Sequence, residues 1–293
     1  MKRMLTGLAL ASAATVIAAG PAQAAPAQAA PKNPVAAVQK QLVPGTGMKW
    51  TERTTLTSNN VRNIFVRRSG TVQFSKTGVA ASDTTGKLNL TASDFPEDAP
   101  EALVAMTKPE HTIKVGNTSY LSGNIWATML PEGKTWFKMS RGPVGGLTGL
   151  YGQPVNIGEP ATLKTLLKGA KPAAGGYAGK ITFSDLNRVS PSFHSSMAFI
   201  STTAKQLKTE ISWRLDVDAK GLPTRLVATY PMSALAGSSA KGTTLSVDTR
   251  YSGWGAKVEI KAPSADEVTT ELKDGNDEAP DSIELPFGVS VAK

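Results

Sequence analysis

A strict alternation of apolar and polar residues over residues 210–217 constrains the fold more than any other feature of this sequence. The apolar positions are Ile211, Trp213, Leu215 and Val217. Such alternation is typical of an antiparallel β-strand with one buried and one solvated face. Residues 218–221 read Asp-Ala-Lys-Gly, which favours a turn, and residues 222–230 have the composition of a partner strand. The pattern therefore predicts a half-buried β-hairpin.

Strand-like segments continue through most of the chain, and short helices interrupt them. We predict strands at residues 48–57, 61–74, 87–91, 112–115, 119–122, 136–139, 179–184, 243–251 and 257–261, with a turn in the second of these near Ser69 and Gly70. Helices are predicted at residues 35–42, 94–106 and 159–167, and from Pro263, where Ser264 would be the N-cap and Glu267 would complete a capping box. Residues 192–205 fit a helix or a loop. Strands and helices do not alternate regularly, which argues against a doubly wound parallel sheet.

The first thirty residues have the pattern of a secretory signal peptide. Lys2 and Arg3 precede an apolar run over residues 5–19, and Ala-x-Ala sites follow at residues 22–24 and 27–29. A membrane span needs about 20 apolar residues, so the run is short for an anchor. We divide the chain into a signal peptide (1–30), an N-terminal linker and helix (31–45), a main domain (46–272) and a C-terminal tail (273–293). The acidic residues 274–280 of the tail are expected to be mobile.

Cysteine is absent, and the chain has two histidines, His111 and His194. The missing thiol excludes disulfides, thiolate metal sites, a cysteine nucleophile and the lipid anchor of bacterial lipoproteins. We expect no metal and no other cofactor. The formal net charge of +9 favours an anionic membrane or cell-wall surface as a partner, or serves solubility alone. Without a nucleic-acid-binding motif, nucleic acid is not an expected partner.

Candidate catalytic patterns are weak. Ser238 and Lys241 fit S-x-x-K, residues 76–78 read Lys-Thr-Gly and residues 58–60 read Ser-Asn-Asn, as in penicillin-interacting serine enzymes, but their order is the reverse of that family's. His111 or His194 would have to serve a serine nucleophile, and no G-x-S-x-G elbow is present. Acidic residues at 94–101 sit where a helix start favours them, and those at 274–281 lack EF-hand spacing. We therefore predict that the protein is not an enzyme.

Residues 142–158 combine glycine with large apolar side chains. The glycines lie at 142, 145, 146, 149, 152 and 158, among Val144, Leu147, Leu150 and Tyr151. The segment is too rich in glycine to be a good helix. It would either cover a cavity as a flexible flap or pack as an irregular core loop, and the sequence leaves these alternatives open.

Four stretches carry a family resemblance: residues 120–139, with Leu-Pro-Glu-Gly-Lys-Thr-Trp-Phe-Lys near their end, and residues 160–170, 213–226 and 251–268. In this order they resemble the LppX/LprG-type lipoproteins of the broader LolA/LolB-like set. The resemblance spans roughly residues 46–272. It implies an α+β fold, a strongly curved antiparallel β-sheet forming a half-barrel, with short helices packed in its concave face. The family's lipidation cysteine is missing, which implies a secreted protein without a lipid anchor.

The same resemblance implies a function. A non-enzymatic carrier would hold the acyl chains of a lipid or glycolipid in an apolar cavity, as a monomer, and hydrophobic transfer would supply about 0.8 kcal/mol per methylene. The candidate cavity residues are apolar positions of the helices and the glycine-rich segment: Leu103, Met106, Leu147, Leu150, Leu163, Leu166 and Leu167. The alternative for each of them is an ordinary position in the hydrophobic core. A second hypothesis is a binding or sensor module of the same fold that recognises a protein or a cell-envelope polymer, and a third is a secreted hydrolase.

Overall fold

The structure is a computed structural model that describes residues 33–197, 200, 203–273, 282–285 and 289–292. The predicted signal peptide and the acidic residues 274–280 lie outside the described residues.

One curved, unclosed sheet dominates the fold. Its strands follow in the order β12-β6-β5-β4-β3-β2-β1-β11-β10-β9-β8-β7, and neighbours are antiparallel except for the parallel pair β12 and β6. The strands are β1 Thr46–Ser58, β2 Val61–Phe74, β3 Val79–Leu88, β4 Glu110–Val115, β5 Thr118–Gly123, β6 Trp136–Ser140, β7 Lys171–Ala173, β8 Gly176–Thr182, β9 Glu210–Val217, β10 Pro223–Pro231, β11 Thr244–Lys257 and β12 Val268–Thr269. A separate hairpin joins β13 Ser282–Leu285 to β14 Val289–Ala292.

The helices are short. They are α1 Pro34–Gln41, α2 Glu101–Ala105, α3 Trp126–Met129, α4 Pro160–Leu167, α5 Phe183–Val189, α6 Pro191–Met197, α7 Ala204–Leu207 and α8 Ser233–Ala236, with 3-10 helices at Ala92–Asp94, Thr148–Tyr151 and Gly237–Ala240. Local chemistry sets their ends: Asn33 accepts bonds from the first turn of α1, and Thr182 and Asp185 form a capping box on α5. Across the described residues, no helix has the length and apolarity to cross a membrane.

One face of the sheet carries the core. Trp213 and Leu215 of β9 are buried there, as the alternation predicts, and they lie opposite Ala228 and Leu226 of β10. At the other end of the sheet the ring of Trp126 stacks on Phe137, with centroids 5.6 Å apart. Short helices complete this core, which confirms the predicted α+β half-barrel class. The predicted hairpin of residues 210–217 and 222–230 is also confirmed.

The predicted turn at Ser69 and Gly70 is wrong, because β2 runs unbroken through these residues. Gly70 lies directly opposite Trp50 of β1. A Cβ atom at Gly70 would come within 2.5 Å of the Asp83 carbonyl oxygen and within 2.9 Å of the indole ring. Glycine is therefore needed here for close packing against the neighbouring strand and the ring rather than to turn the chain.

Four other element predictions need correction. The strand predicted at residues 87–91 is instead the end of β3, which runs from Val79 to Leu88. Residues 94–106 form two short pieces, Ala92–Asp94 and α2, because Pro96 and Pro100 interrupt the segment. Instead of the helix predicted from Pro263, a turn at residues 265–267 leads into β12. There the Glu267 carbonyl accepts the backbone N–H groups of residues 135 and 136, which ties the segment to β6. Residues 258–261 lie beyond the end of β11.

Candidate functional site

A cavity of about 140 Å³ lies between the sheet and the layer that covers it. Its apolar end is formed by helices α5, α6 and α8 and their neighbours, including Phe183, Phe193, Met197, Ile200 and Leu235. Its polar end is formed on the sheet by Glu52, Arg68 and Thr249, together with Gln153 from residues 142–158, which cover the cavity and are called the covering segment below. The cavity is therefore amphipathic, with a polar patch facing an aromatic and aliphatic wall.

The polar end is built on a buried ion pair. Glu52 of β1 and Arg68 of β2 lie directly opposite each other in the sheet register. Nη1 of Arg68 donates to Oε1 of Glu52 at 2.9 Å, and the two side chains are 7% and 2% exposed, respectively. The guanidinium also lies over the ring of Trp50, 5.1 Å from its centroid. Removing either partner would leave an uncompensated charge in a site without bulk water, which is strongly destabilising.

The second oxygen of Glu52 is also occupied. Oε2 accepts the hydroxyl of Thr249 at 2.9 Å and the backbone N–H of Gln153 at 3.2 Å. The amide Nε2 of Gln153 donates to the Leu226 carbonyl at 3.3 Å and to the Thr249 hydroxyl at 3.1 Å. The carboxylate is thus held by one cation and two neutral donors, and it joins three strands to the covering segment.

A second buried carboxylate, Glu110 of β4, holds the same covering segment. Its partners are neutral hydrogen-bond donors rather than a cation. The carboxylate accepts the indole N–H of Trp126 and the backbone N–H of Leu147 at 2.9 Å each, and the backbone N–H of Thr148 at 2.8 Å. Glu110 is 1% exposed. In the sheet register it follows Glu52, Arg68 and Gly86, so one row of residues crosses four strands beneath the segment.

The glycines of residues 142–158 allow the chain to approach these charges. A Cβ at Gly152 would lie 1.8 Å from Nη1 of Arg68, and one at Gly146 would lie 2.4 Å from Oε1 of Glu110. Gly86 of β3 allows the segment to approach the sheet closely, because a Cβ at this position would lie 2.1 Å from the Thr148 hydroxyl. The segment therefore packs as an irregular part of the core, and it also covers the cavity.

One of the residues predicted to line a cavity does so, namely Leu150. Leu147, Leu163, Leu166 and Met106 are buried in the core but are not among the described lining residues. Leu167 is partly buried against the core, and Leu103 is 37% exposed. A ligand-contact role for each of these positions stays a prediction.

The residues considered for catalysis lie elsewhere. His111 is paired through Nε2 with Oδ1 of Asp83 at 2.7 Å, and both side chains are substantially exposed. Nδ1 of His194 contacts Oδ1 of Asn187 at 3.1 Å on the surface. Ser238 lies in the short 3-10 helix Gly237–Ala240. In the described ranges no three or more His, Asp or Glu side chains are grouped as a metal site would require.

Sequence reasoning missed Glu52, Arg68, Glu110 and Gln153. The signal was available for Glu52 and Arg68, because each occupies an inward position among mainly apolar residues of its strand. Glu52, for example, falls between Trp50 and Thr54 on the buried face of β1. A charge in such a position must be paired or hydrogen-bonded in the interior. Glu110 gave no such signal, because Thr112 and Lys114 on the same face of β4 are polar. Gln153 gave no comparable signal, because its role depends on where the glycine-rich segment crosses the sheet.

Burial affects the ionisation of the cavity wall. It raises the pKa of the Tyr230 phenol well above its ordinary value, so this side chain remains neutral across the physiological range. Within the described lining, the charged groups are therefore Glu52 and Arg68, which neutralise each other.

The chain matches no known protein-family model and no curated protein. Among solved structures, it is similar to a LolA superfamily protein from Nitrosomonas europaea, with a TM-score of 0.33 and 9% identity over 79% of this chain and 93% of that one. It is also similar to a DUF1329 family protein from Desulfovibrio piger ATCC 29098, with a TM-score of 0.31 and 9% identity over 75% of this chain and 91% of that one. Likenesses this weak establish neither family nor function. The fold and the site themselves define a class: an open half-barrel with an amphipathic cavity on its inner face.

Proposed function

We propose that the protein is a secreted, non-enzymatic lipid-binding or carrier protein that holds an acyl chain of a lipid or glycolipid in this cavity. The observation that carries the proposal is the apolar end of the cavity, where Phe183 packs edge-to-face against Phe193 and Tyr230, with centroids 5.3 and 5.2 Å away. Each methylene that leaves water for such a wall contributes about 0.8 kcal/mol. An acyl segment therefore binds there without any polar recognition.

The size of the cavity limits what it holds. Its volume of about 140 Å³ is close to that of an engineered protein cavity, about 150 Å³, that takes up one benzene molecule. The cavity in this form accommodates a stretch of one chain rather than several chains. A larger glycolipid would require residues 142–158 to separate from Glu110 and Glu52, which would break the hydrogen bonds described above.

The filling of the inner face supports a second candidate, a binding or sensor module that recognises a protein or a cell-envelope polymer without lipid cargo. Leu163, Leu166 and Leu186 are at most 1% exposed and pack as ordinary core. A module of this kind needs no cavity, whereas a carrier does. The third hypothesis, a secreted hydrolase, gains no support, because His194 and Ser238 are absent from the described cavity lining.

A cavity-filling variant tests the carrier function. Ser196 of α6 lines the cavity and is half-buried, whereas its neighbour Ser195 has similar burial but is not a described lining residue. We expect Ser196→Phe to abolish uptake of a fluorescent fatty-acyl probe while the melting temperature is retained, and Ser195→Phe to bind the probe normally. Native mass spectrometry of the secreted wild-type protein, followed by lipid extraction, would identify the cargo. Absence of lipid and equal probe binding by both variants would favour the module.

The anionic surface expected as a partner has a counterpart on the outer face of the sheet. Arg53, Arg67 and Lys87 lie opposite one another on β1, β2 and β3 and are exposed, and Arg53 also lies 3.8 Å from Oδ2 of Asp248. We propose that this row attracts an anionic membrane. The protein should co-sediment with phosphatidylglycerol vesicles but not with phosphatidylcholine vesicles, and should be released at high salt because added ions screen surface charges. Salt-independent binding, or equal binding to both vesicles, would contradict this.

Secretion is proposed from the N-terminal sequence pattern, and it predicts a mature protein that begins near Ala25 or Ala30. N-terminal sequencing of the protein from culture fluid checks this. A chain that retains Lys2 and the apolar run would overturn it.

A further inference from the structure

Two polar atoms at the polar end of the cavity lack partners. Nε of Arg68 and Oε1 of Gln153 are buried and make no hydrogen bond to any described residue. Both residues line the cavity, and both contact the carboxylate of Glu52, Arg68 through Nη1 and Gln153 through its backbone N–H. Buried polar groups in native proteins are nearly always satisfied, so each such atom needs a partner that completes it.

The orientation of the Gln153 amide is fixed by its other contacts. The Leu226 carbonyl can only accept, so the nitrogen of the amide must face it. This places Oε1 as the free acceptor. The site therefore offers a fully buried donor without a partner, the Nε–H group of Arg68, and a fully buried acceptor without a partner, the amide oxygen of Gln153.

The charge balance restricts the partner further. Arg68 and Glu52 are the charged groups of the described lining, and they already neutralise each other. An ionised head group would lose its hydration here and meet no free counter-charge, which is costly in a desolvated site. A neutral group that both donates and accepts a hydrogen bond fits the unused pair.

We propose that the polar end of the cavity selects single-chain amphiphiles with a neutral hydroxyl head over those with an ionised carboxylate or phosphate. The hydroxyl oxygen accepts from Nε of Arg68, and the hydroxyl proton is donated to Oε1 of Gln153. The chain lies against Phe183, Phe193 and Met197. This inference rests on the proposed lipid-binding function and specifies the class of ligand for that site.

Matched ligands test the selection on the full secreted protein. Dodecanol, dodecanoate and dodecane share a chain length and differ at the head, and each is titrated at pH 7.5 against a bound fluorescent fatty-acyl probe. We expect dodecanol to bind about tenfold more tightly than dodecane, because it completes both buried groups. Dodecanoate should bind at least about tenfold more weakly than dodecanol.

A pair of glutamine variants tests the assignment of the acceptor. Gln153→Met removes the free acceptor with little change in volume and should reduce the preference for dodecanol over dodecane to about threefold or less. Gln206→Met is the control, because Gln206 also donates through Nε2 to a backbone carbonyl, that of Ala234, but is not a described lining residue. It should retain the full preference.

The outcomes separate this inference from the function on which it rests. Equal affinity for all three ligands, the result expected if a bound water satisfies both atoms, would overturn the selection and leave lipid binding intact. Tightest binding of dodecanoate would overturn it in favour of an anion site. Failure of every ligand to displace the probe, or of the probe to bind, would overturn the proposed function as well. The titrations of the three ligands against the wild-type protein test the selection even if Gln153→Met does not fold.

Discussion

Charged side chains are arranged differently on the inner and outer faces of strands β1, β2 and β3. On the inner face of β1 and β2, Glu52 lies opposite Arg68, and the pair is buried. On the outer face, the next residue on each strand, Arg53 and Arg67, forms a pair of like charges, and Lys87 of β3 extends the row. At the other end of this row, Nη2 of Arg53 lies 3.8 Å from Oδ2 of Asp248 on β11. Because side chains alternate between faces, a shift of one residue moves a charge from one environment to the other.

The difference follows from access to water. Inside, an unpaired charge would cost several kcal/mol, so Glu52 and Arg68 are opposite in sign and both carboxylate oxygens are hydrogen-bonded. Outside, water and salt screen the repulsion over about 10 Å, so a row of cations costs little and stays available to a partner. The inner row therefore fixes the covering segment, whereas the outer row contributes to the net positive charge without contributing to the fold.

The largest effect should come from breaking the inner pair. Arg68→Leu leaves Glu52 buried without its cation and should lower the free energy of unfolding by about 3–5 kcal/mol, measured by urea denaturation. The double variant Glu52→Leu with Arg68→Leu removes both charges and should recover a substantial part of that loss. A double variant as unstable as the single one would show that the pair acts through its neutral hydrogen bonds instead.

A smaller effect is expected when the covering segment is pushed away from the pair. Gly152→Ala places a Cβ 1.8 Å from Nη1 of Arg68 and 2.9 Å from Oε1 of Glu52, and overpacking of this kind costs about 1–3 kcal/mol. Gly158→Ala, in the same segment, is the control, because its closest contact would be 3.1 Å from Cγ2 of Val79. Equal melting temperatures for the two variants would argue that the segment can move freely over Arg68.

The sequence predicted the regular part of the molecule better than the site. The alternation of apolar and polar residues was sufficient to predict the strands β9 and β10 and their buried face, because this periodic burial depends on the local sequence alone. The leucines predicted to line the cavity, such as Leu163 and Leu166, have the apolar character of a lipid contact, but core positions have the same character. The polar end depends on contacts between residues far apart in the chain, such as Glu52 with Thr249, and no local pattern encodes them.

On the outer face, acid should expose the contribution of one well-paired carboxylate. Nε and Nη2 of Arg225 each donate to Asp248 at 2.8 Å, and these hydrogen bonds hold the pKa of Asp248 below its ordinary value. A lowered folded-state pKa contributes stability at neutral pH that is lost as the pH falls through that pKa. Asp248→Asn should therefore cost about 1 kcal/mol at pH 7 and progressively less below pH of about 4, in thermal melts across that range. A difference that is constant with pH would rule out this linkage.

The smallest effect should come from the like charges of the outer row. Arg67 lies between Arg53 and Lys87, and all three are exposed, so Arg67→Gln removes two repulsive contacts and breaks no buried one. We expect it to raise the free energy of unfolding by about 0.3 kcal/mol at low ionic strength, and the gain to vanish near 1 M salt, where the screening length is about 3 Å. Arg68→Gln, one residue along the same strand, should instead destabilise the protein at every salt concentration, because its partner is shielded from ions. Denaturant titrations of both variants at low and high salt make the measurement. If salt changed the two variants equally, the separation of the sheet into a screened face and a buried face would be wrong.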